Sequence, residues 1–191
     1  MASILVVCTG NICRSPMAEG FIRRALDLRI GDAAPRVHSA GTIARDGSPA
    51  RDETIEAAAE HGLDLSGFRT TGLAARQIEE EDLVVCMAGE HRDEVVDLVP
   101  AAEGRTFTLK QLVRLLEELG PGAGDLGTRV SAADGLRRRG FDGNPHDDDV
   151  ADPLGLSIDA FRAVAWELEG WCERLGDALV DTRAAVSEQG G

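Results

Sequence analysis

Residues 4 to 20 read Ile4-Leu5-Val6-Val7-Cys8-Thr9-Gly10-Asn11-Ile12-Cys13-Arg14-Ser15-Pro16-Met17-Ala18-Glu19-Gly20. The unbroken apolar run Ile4–Val7, rich in β-branched residues, predicts a strand buried on both faces. Ser15 followed by Pro16 predicts a helix start, with Ser15 as the cap and Pro16 at the first helical position. The helix then carries Met17, Phe21, Ile22, Ala25 and Leu26 on one face. A buried strand that turns through a short loop into a helix is the opening unit of a parallel α/β sheet.

The rest of the chain repeats that alternation. Arg36–Ala40, ending at Gly41, reads as a second strand, and Leu83–Met87 as a third. Arg105–Phe107 reads as a short fourth. Helices are predicted at about 49–61, after the third strand with Val95, Val96, Leu98 and Val99, from Thr108 through Leu119, and from near Ser157 onward with a stripe of Ile158, Phe161, Val164, Ala165, Leu168, Trp171, Cys172, Leu175 and Leu179. Between Gly120 and Asp149 the periodicity dissolves, which predicts a long loop, and the acidic run after His146 reads as solvated rather than metal-binding. The expectation is one α/β domain over 1–183: an open four-stranded parallel sheet with helices on both faces, and a disordered tail over 184–191. In such sheets ligands bind beyond the carboxyl ends of the strands, where the Cys8 loop falls.

Composition bounds the function. With 191 residues, 43% hydrophobic and 28% charged, the chain is long enough for a real core. Thirty-four acids against 20 bases give a net charge of −14, which disfavours nucleic acid and anionic membrane surfaces as partners. Cys8, Cys13, Cys86 and Cys172 match no zinc spacing and are too few for a disulfide scaffold. No secretory leader or membrane span is legible, so a cytoplasmic protein with reduced thiols is expected. No cofactor or metal is expected, and a monomer is.

The loop from Cys8 to Ser15 carries the chemistry. Backbone N–H groups of Thr9, Gly10, Asn11, Ile12 and Cys13 can converge into an anion-binding nest at a helix N-terminus. Arg14 can hold two phosphate oxygens with its planar fork. A cysteine at the centre of that field is expected as the thiolate, a nucleophile facing a bound phosphoryl group. Gly10 is expected to permit the tight turn, and Asn11 and Ser15 to hold the loop and donate to the sulfur. The plainer alternative is a buried strand-end cysteine and a surface arginine.

Cys8–Gly20 resembles the phosphate loop of the low-molecular-weight protein tyrosine phosphatases, a family with arsenate reductase relatives. His38-Ser39-Ala40-Gly41-Thr42, Glu60-His61-Gly62-Leu63, Ala75-Arg76-Gln77-Ile78, Asp82–Met87 and Asp152-Pro153 extend the resemblance. It implies that Cys8 forms a phosphocysteine, Arg14 stabilises the phosphoryl oxygens, and Asp152 is general acid and then base. It also implies that Ser15, Asn11 and Ser39 support the loop. Cys13 is then a candidate redox partner of Cys8; Cys86 and Cys172 read as core.

Departures concern the substrate. Leu154 stands where an aromatic is usual, Ile43-Ala44-Arg45-Asp46 offers no aromatic wall, and Leu73 replaces a common histidine. Ile12 stands where phosphoarginine-hydrolysing relatives carry threonine, and favours a flat aromatic ring. A phosphotyrosine protein is therefore the expected substrate, with inorganic phosphate released; phosphoarginine, another phosphomonoester, and arsenate reduction are the alternatives. A phosphoprotein-binding module without catalysis would not need Cys8, Arg14 and Asp152 together.

Overall fold

The computed structural model describes residues 2–122, 124–141 and 147–180. Four strands, β1 (Ser3–Cys8), β2 (Arg36–Gly41), β3 (Leu83–Cys86) and β4 (Thr106–Thr108), form one sheet in the order β2-β1-β3-β4. Every pairing is parallel, with Cys8 opposite Gly41 and Val7 opposite Cys86. The order reverses between β1 and β3, so the topological switch point lies at the carboxyl end of β1.

Among the described residues seven α-helices cover the sheet: α1 (Arg14–Ile30), α2 (Asp52–Glu60), α3 (Ala75–Glu80), α4 (Gly89–Leu98), α5 (Leu109–Leu119), α6 (Leu126–Arg138) and α7 (Ile158–Leu179). Alternation along the strands divides the core between the two faces. Ile4, Val6, Leu83, Val85 and Phe107 pack with Met17, Phe21, Leu112, Leu116, Phe161 and Leu168 under α1, α5 and α7. Leu5, Val7, Val84 and Cys86 pack on the other face with Ile78, Val95 and Val99. Both faces are covered, which is why β1 and β3 read as continuous apolar runs. Among the described residues no helix is long and apolar enough to cross a membrane.

Three expectations need correction. The stretch 120–150 is not one loop: α6 lies within it. Asp125 caps that helix by accepting the Thr128 N–H at 2.9 Å, and Val130 and Ala133 are buried. Gly127 and Gly135 each weaken the helical signal by about 1 kcal/mol. The helix is held instead by arginines docked on carbonyls: Arg129 on Ala178 O at 2.8 Å, and Arg137 on Thr106 O at 2.9 Å with its guanidinium over the Phe107 ring.

The acidic run is also misread in part. His146 lies outside the described residues, but Asp148 is buried and both it and Asp147 are paired with cations. Finally, α1 starts at Arg14 rather than after Ser15. Ser15 is its second residue, and the Ser15 hydroxyl serves the Cys8 sulfur instead of capping the helix. Pro16 still sits in the first turn, where its missing N–H costs nothing. The expected tail over 184–191 lies outside the described residues.

Candidate active site

Cys8 is the last residue of β1 and only 2% exposed. Its Sγ lies 2.9 Å from Ser15 Oγ and receives the Asn11 backbone N–H at 3.3 Å. Asn11 Nδ2 donates to Ser15 Oγ at 2.8 Å, which leaves the serine O–H available to donate to a thiolate. Asn11 Nδ2 also donates to Ser39 Oγ at 2.8 Å, and Ser39 donates onward to Glu19 Oε2 at 2.7 Å. Asn11 Oδ1 accepts the Thr71 N–H at 2.8 Å. The backbone amide of Thr71 thus braces the loop at its asparagine although Leu73 replaces the usual histidine.

Asn11, wholly buried, has φ +52°, the left-handed region that asparagine tolerates better than most residues. The loop's reversal therefore rests on Asn11. Gly10, expected to make the turn, does not have a positive φ. A Cβ at Gly10 would meet Ile12 Cγ1 at 3.2 Å, a constraint of space rather than of backbone angle. Gly41, opposite Cys8, is under a tighter constraint: its Cβ would fall 2.7 Å from Thr9 O and 2.8 Å from Asn11 N. The chain leaving β2 runs along the loop, with Thr42 N donating to Cys8 O and Ile43 N to Thr9 O, both at 3.0 Å.

Arg14 is buried, and its guanidinium makes three contacts. Nη1 donates to Val150 O at 3.2 Å; Nη2 donates to Thr9 Oγ1 at 3.2 Å and to Asp152 Oδ2 at 2.7 Å. Its Nε–H has no hydrogen-bond partner among the described residues. The fold thus brings Asp152 to the phosphate loop from 144 positions away. Asp152 Oδ1 accepts the Leu154 N–H at 3.0 Å, so both carboxylate oxygens are oriented.

One residue was missed by sequence reasoning. His91, in the first turn of α4 and wholly buried, places Nε2 2.8 Å from Thr9 Oγ1. Burial, reinforced by the nearby Arg14 charge, lowers its pKa to about 4. The ring is then neutral at pH 7 and shares a hydrogen bond between Nε2 and the Thr9 hydroxyl, which also accepts from Arg14. His91 thereby braces the Arg14 guanidinium through a hydroxyl. A lone histidine three residues into a helix carries no signature that would reveal this from sequence.

The cavity over the loop holds about 460 Å³ and is lined by Cys8–Gly10, Ile12–Arg14, Ile43–Arg45, Ser48, Thr70, Asp152 and Leu154. Its outer wall is aliphatic as expected: Ile43 is 77% and Leu154 51% exposed, and among the described residues no aromatic lines it. Cys13 is buried in the same loop, and its thiol is pushed up to about 11, mainly by burial, so it remains protonated. Cys86 and Cys172 are core residues whose thiols burial pushes higher still. Among the described residues no group of histidines, cysteines and carboxylates forms a metal site.

The family model for "low molecular weight phosphotyrosine protein phosphatase" matches residues 3–119. A probable low molecular weight protein-tyrosine-phosphatase, EpsP, of Ralstonia nicotianae is 38% identical over 110 residues, covering 58% of this chain and 72% of its own. A protein-arginine-phosphatase of Geobacillus stearothermophilus is 32% identical over 176 residues, covering 92% of this chain and 95% of its own. A solved variant of the YwlE arginine phosphatase with a phosphorylated active-site serine superposes with a TM-score of 0.70, at 29% identity over 93% of this chain and 95% of that one. Sheet order, loop and sequence matches agree: a cysteine and an arginine six residues apart stand at the switch point, and the chain belongs to the low molecular weight phosphotyrosine protein phosphatase family.

Proposed function

We propose that this protein hydrolyses phosphotyrosine in proteins through a phosphocysteine at Cys8. The observation that carries the reading is the convergence on one cavity of the Cys8 sulfur, donated to by Ser15 and the Asn11 N–H, and the Arg14–Asp152 pair. The Cys8 thiolate attacks phosphorus; the S–P bond forms as the P–O bond to the phenol breaks, and Asp152 gives the leaving oxygen its proton. Arg14 and the loop N–H groups, Thr9 to Cys13, hold the charge on the equatorial oxygens. Water then attacks phosphorus, Asp152 takes its proton, and the thiolate departs, leaving inorganic phosphate. Ser15 donates to the thiolate, and Asn11, with help from Ser39, holds the loop in shape. No cofactor or metal enters these steps, and the protein acts as a cytoplasmic monomer with neither nucleic acid nor membrane as partner. Cys13 serves as redox partner: a peroxide-class oxidant would join it reversibly to Cys8.

Phosphoarginine is the second reading, favoured by the long match to an arginine phosphatase. Ile12 and the Arg45 cation on the cavity wall weigh against it, since neither favours a guanidinium. Arsenate reduction by a disulfide relay is disfavoured by the complete burial of Cys86 and Cys172.

The test is hydrolysis of p-nitrophenyl phosphate, then of phosphotyrosine and phosphoarginine peptides, by wild type, Cys8→Ser and Asp152→Ala. The reading expects turnover that Cys8→Ser abolishes and Asp152→Ala slows about 10²-fold or more. An inert wild type, or an active Cys8→Ser, overturns it. Faster hydrolysis of phosphoarginine moves the substrate class to the second reading.

A further inference from the structure

Lys110 is the chain's one lysine; the other 19 of its 20 basic residues are arginine. It lies on α5, far in sequence from the catalytic loop, yet is only 3% exposed. Its ammonium sits 2.6 Å from Glu167 Oε1 on α7 and 3.3 Å from Asp147 Oδ1. One turn along the same helix, Arg114 donates to Asp147 Oδ2 at 2.9 Å, to Asp147 O at 3.2 Å and to Asp148 Oδ1. Both cations lie over the ring of Trp171 on α7.

Asp147 and Asp148 open the segment that delivers Asp152. Beyond them, Asp149 Oδ1 accepts the Gly89 N–H at 2.8 Å, Val150 N donates to Met87 O at 2.8 Å, and Val150 O accepts from Arg14 at 3.2 Å. Every residue from 147 to 150 is therefore tied to α5, the start of α4 or the end of β3. Burying Asp148 against a cation is costly unless the pair is well made. A segment that needed only to reach the next helix would not require it.

We propose that Lys110 and Arg114 are positioning residues for the general acid: they clamp Asp147 and Asp148 and so set the approach of Asp152 to the leaving oxygen. The inference rests on the reading of Asp152 as that acid. Neither residue lines the cavity, so their contribution is to where Asp152 stands, not to phosphate binding. Misplacing a catalytic group by an ångström is enough to slow a step severely.

The test is kcat/KM for Lys110→Met, Arg114→Met, Asp148→Asn and Asp152→Ala on two substrates. Phenyl phosphate has a leaving group that needs a proton; 2,4-dinitrophenyl phosphate has one that does not. Inhibition by inorganic phosphate reports the loop. The clamp variants should lose about 10-fold on phenyl phosphate and less than about twofold on the dinitrophenyl ester, with phosphate inhibition unchanged. Arg114→Lys, which keeps the charge without the fork, should recover part of the loss. Equal losses on both esters, or none on either, overturn the proposal. Should Lys110→Met fail to fold, Asp148→Asn and Arg114→Met break the clamp from its other partners and decide the matter. If Asp152→Ala itself spares phenyl phosphate relative to the dinitrophenyl ester, the general-acid reading fails first, and the clamp with it.

Discussion

The two halves of the site are built in opposite ways. The Cys8–Ser15 loop is compact in sequence and carries bonds of its own, Asn11 to Ser15 and Ser15 to Cys8, which Ser39, Thr71 and His91 brace from outside. The 147–152 segment has no such internal network beyond the Asp152–Leu154 contact, and is fixed by α5, the start of α4, the end of β3 and Arg14. The surroundings of Cys8 thus rest in part on bonds within the loop, whereas the position of Asp152 rests on the fold alone. A single atom removed from the first should matter greatly; the second should degrade in steps as its ties are cut one at a time.

The sharpest way to break that contrast is Asn11→Ala. It removes three hydrogen bonds and leaves a residue poorly suited to φ +52°. It should lower kcat by about 10²-fold and stability by about 3 kcal/mol, read by p-nitrophenyl phosphate turnover and urea titration. Wild-type kinetics would mean the loop does not depend on its own network. Gly41→Ala comes next: its methyl would collide with the Thr9 carbonyl and the Asn11 amide, so about 2 kcal/mol and about 10-fold in kcat/KM are expected. Phosphate protection against thiol alkylation should weaken in parallel.

His91 offers a pH test of the tie between α4 and the loop. Its pKa is near 6.5 unfolded and about 4 folded. The native state thus favours the neutral ring, and this contribution is whole above pH 6.5 and lost as pH falls toward 4. Between those values wild type should lose up to about 3 kcal/mol relative to His91→Gln, whose amide can still bond Thr9. Parallel stability curves for the two proteins would remove His91 from the argument. The smallest effect is expected from Asp149→Ala, which cuts one tie of four in the acid's segment: about twofold on phenyl phosphate and about 0.5–1 kcal/mol.

Legibility in sequence followed the same division. β1, its loop and α1 could be read because burial on both faces, loop polarity and the Arg14 position lie side by side. α5 and α7 announced themselves by long apolar stripes and by Thr108, which does cap α5 through Gln111. α6 was hidden because Arg129 and Arg137, docked on carbonyls of other elements, replace much of an apolar face, while Gly127 and Gly135 speak against a helix. α3 is too short to show a period. Ser15 was misassigned because a serine before proline looks like a cap, whereas the sulfur claims its hydroxyl. Asp152 was legible only through the family resemblance, and His91 and the Lys110–Arg114 clamp not at all, since each acts across more than thirty residues of chain.

That solitary lysine has a practical corollary. Acylating reagents, isopeptide conjugation and lysine-specific proteases find one side-chain target in these 191 residues, and it is 3% exposed between two carboxylates. None of them can act there until α5 parts from α7 and from the segment at Asp147. The rate of labelling at Lys110 in the folded protein is therefore a direct clock for the opening of that junction.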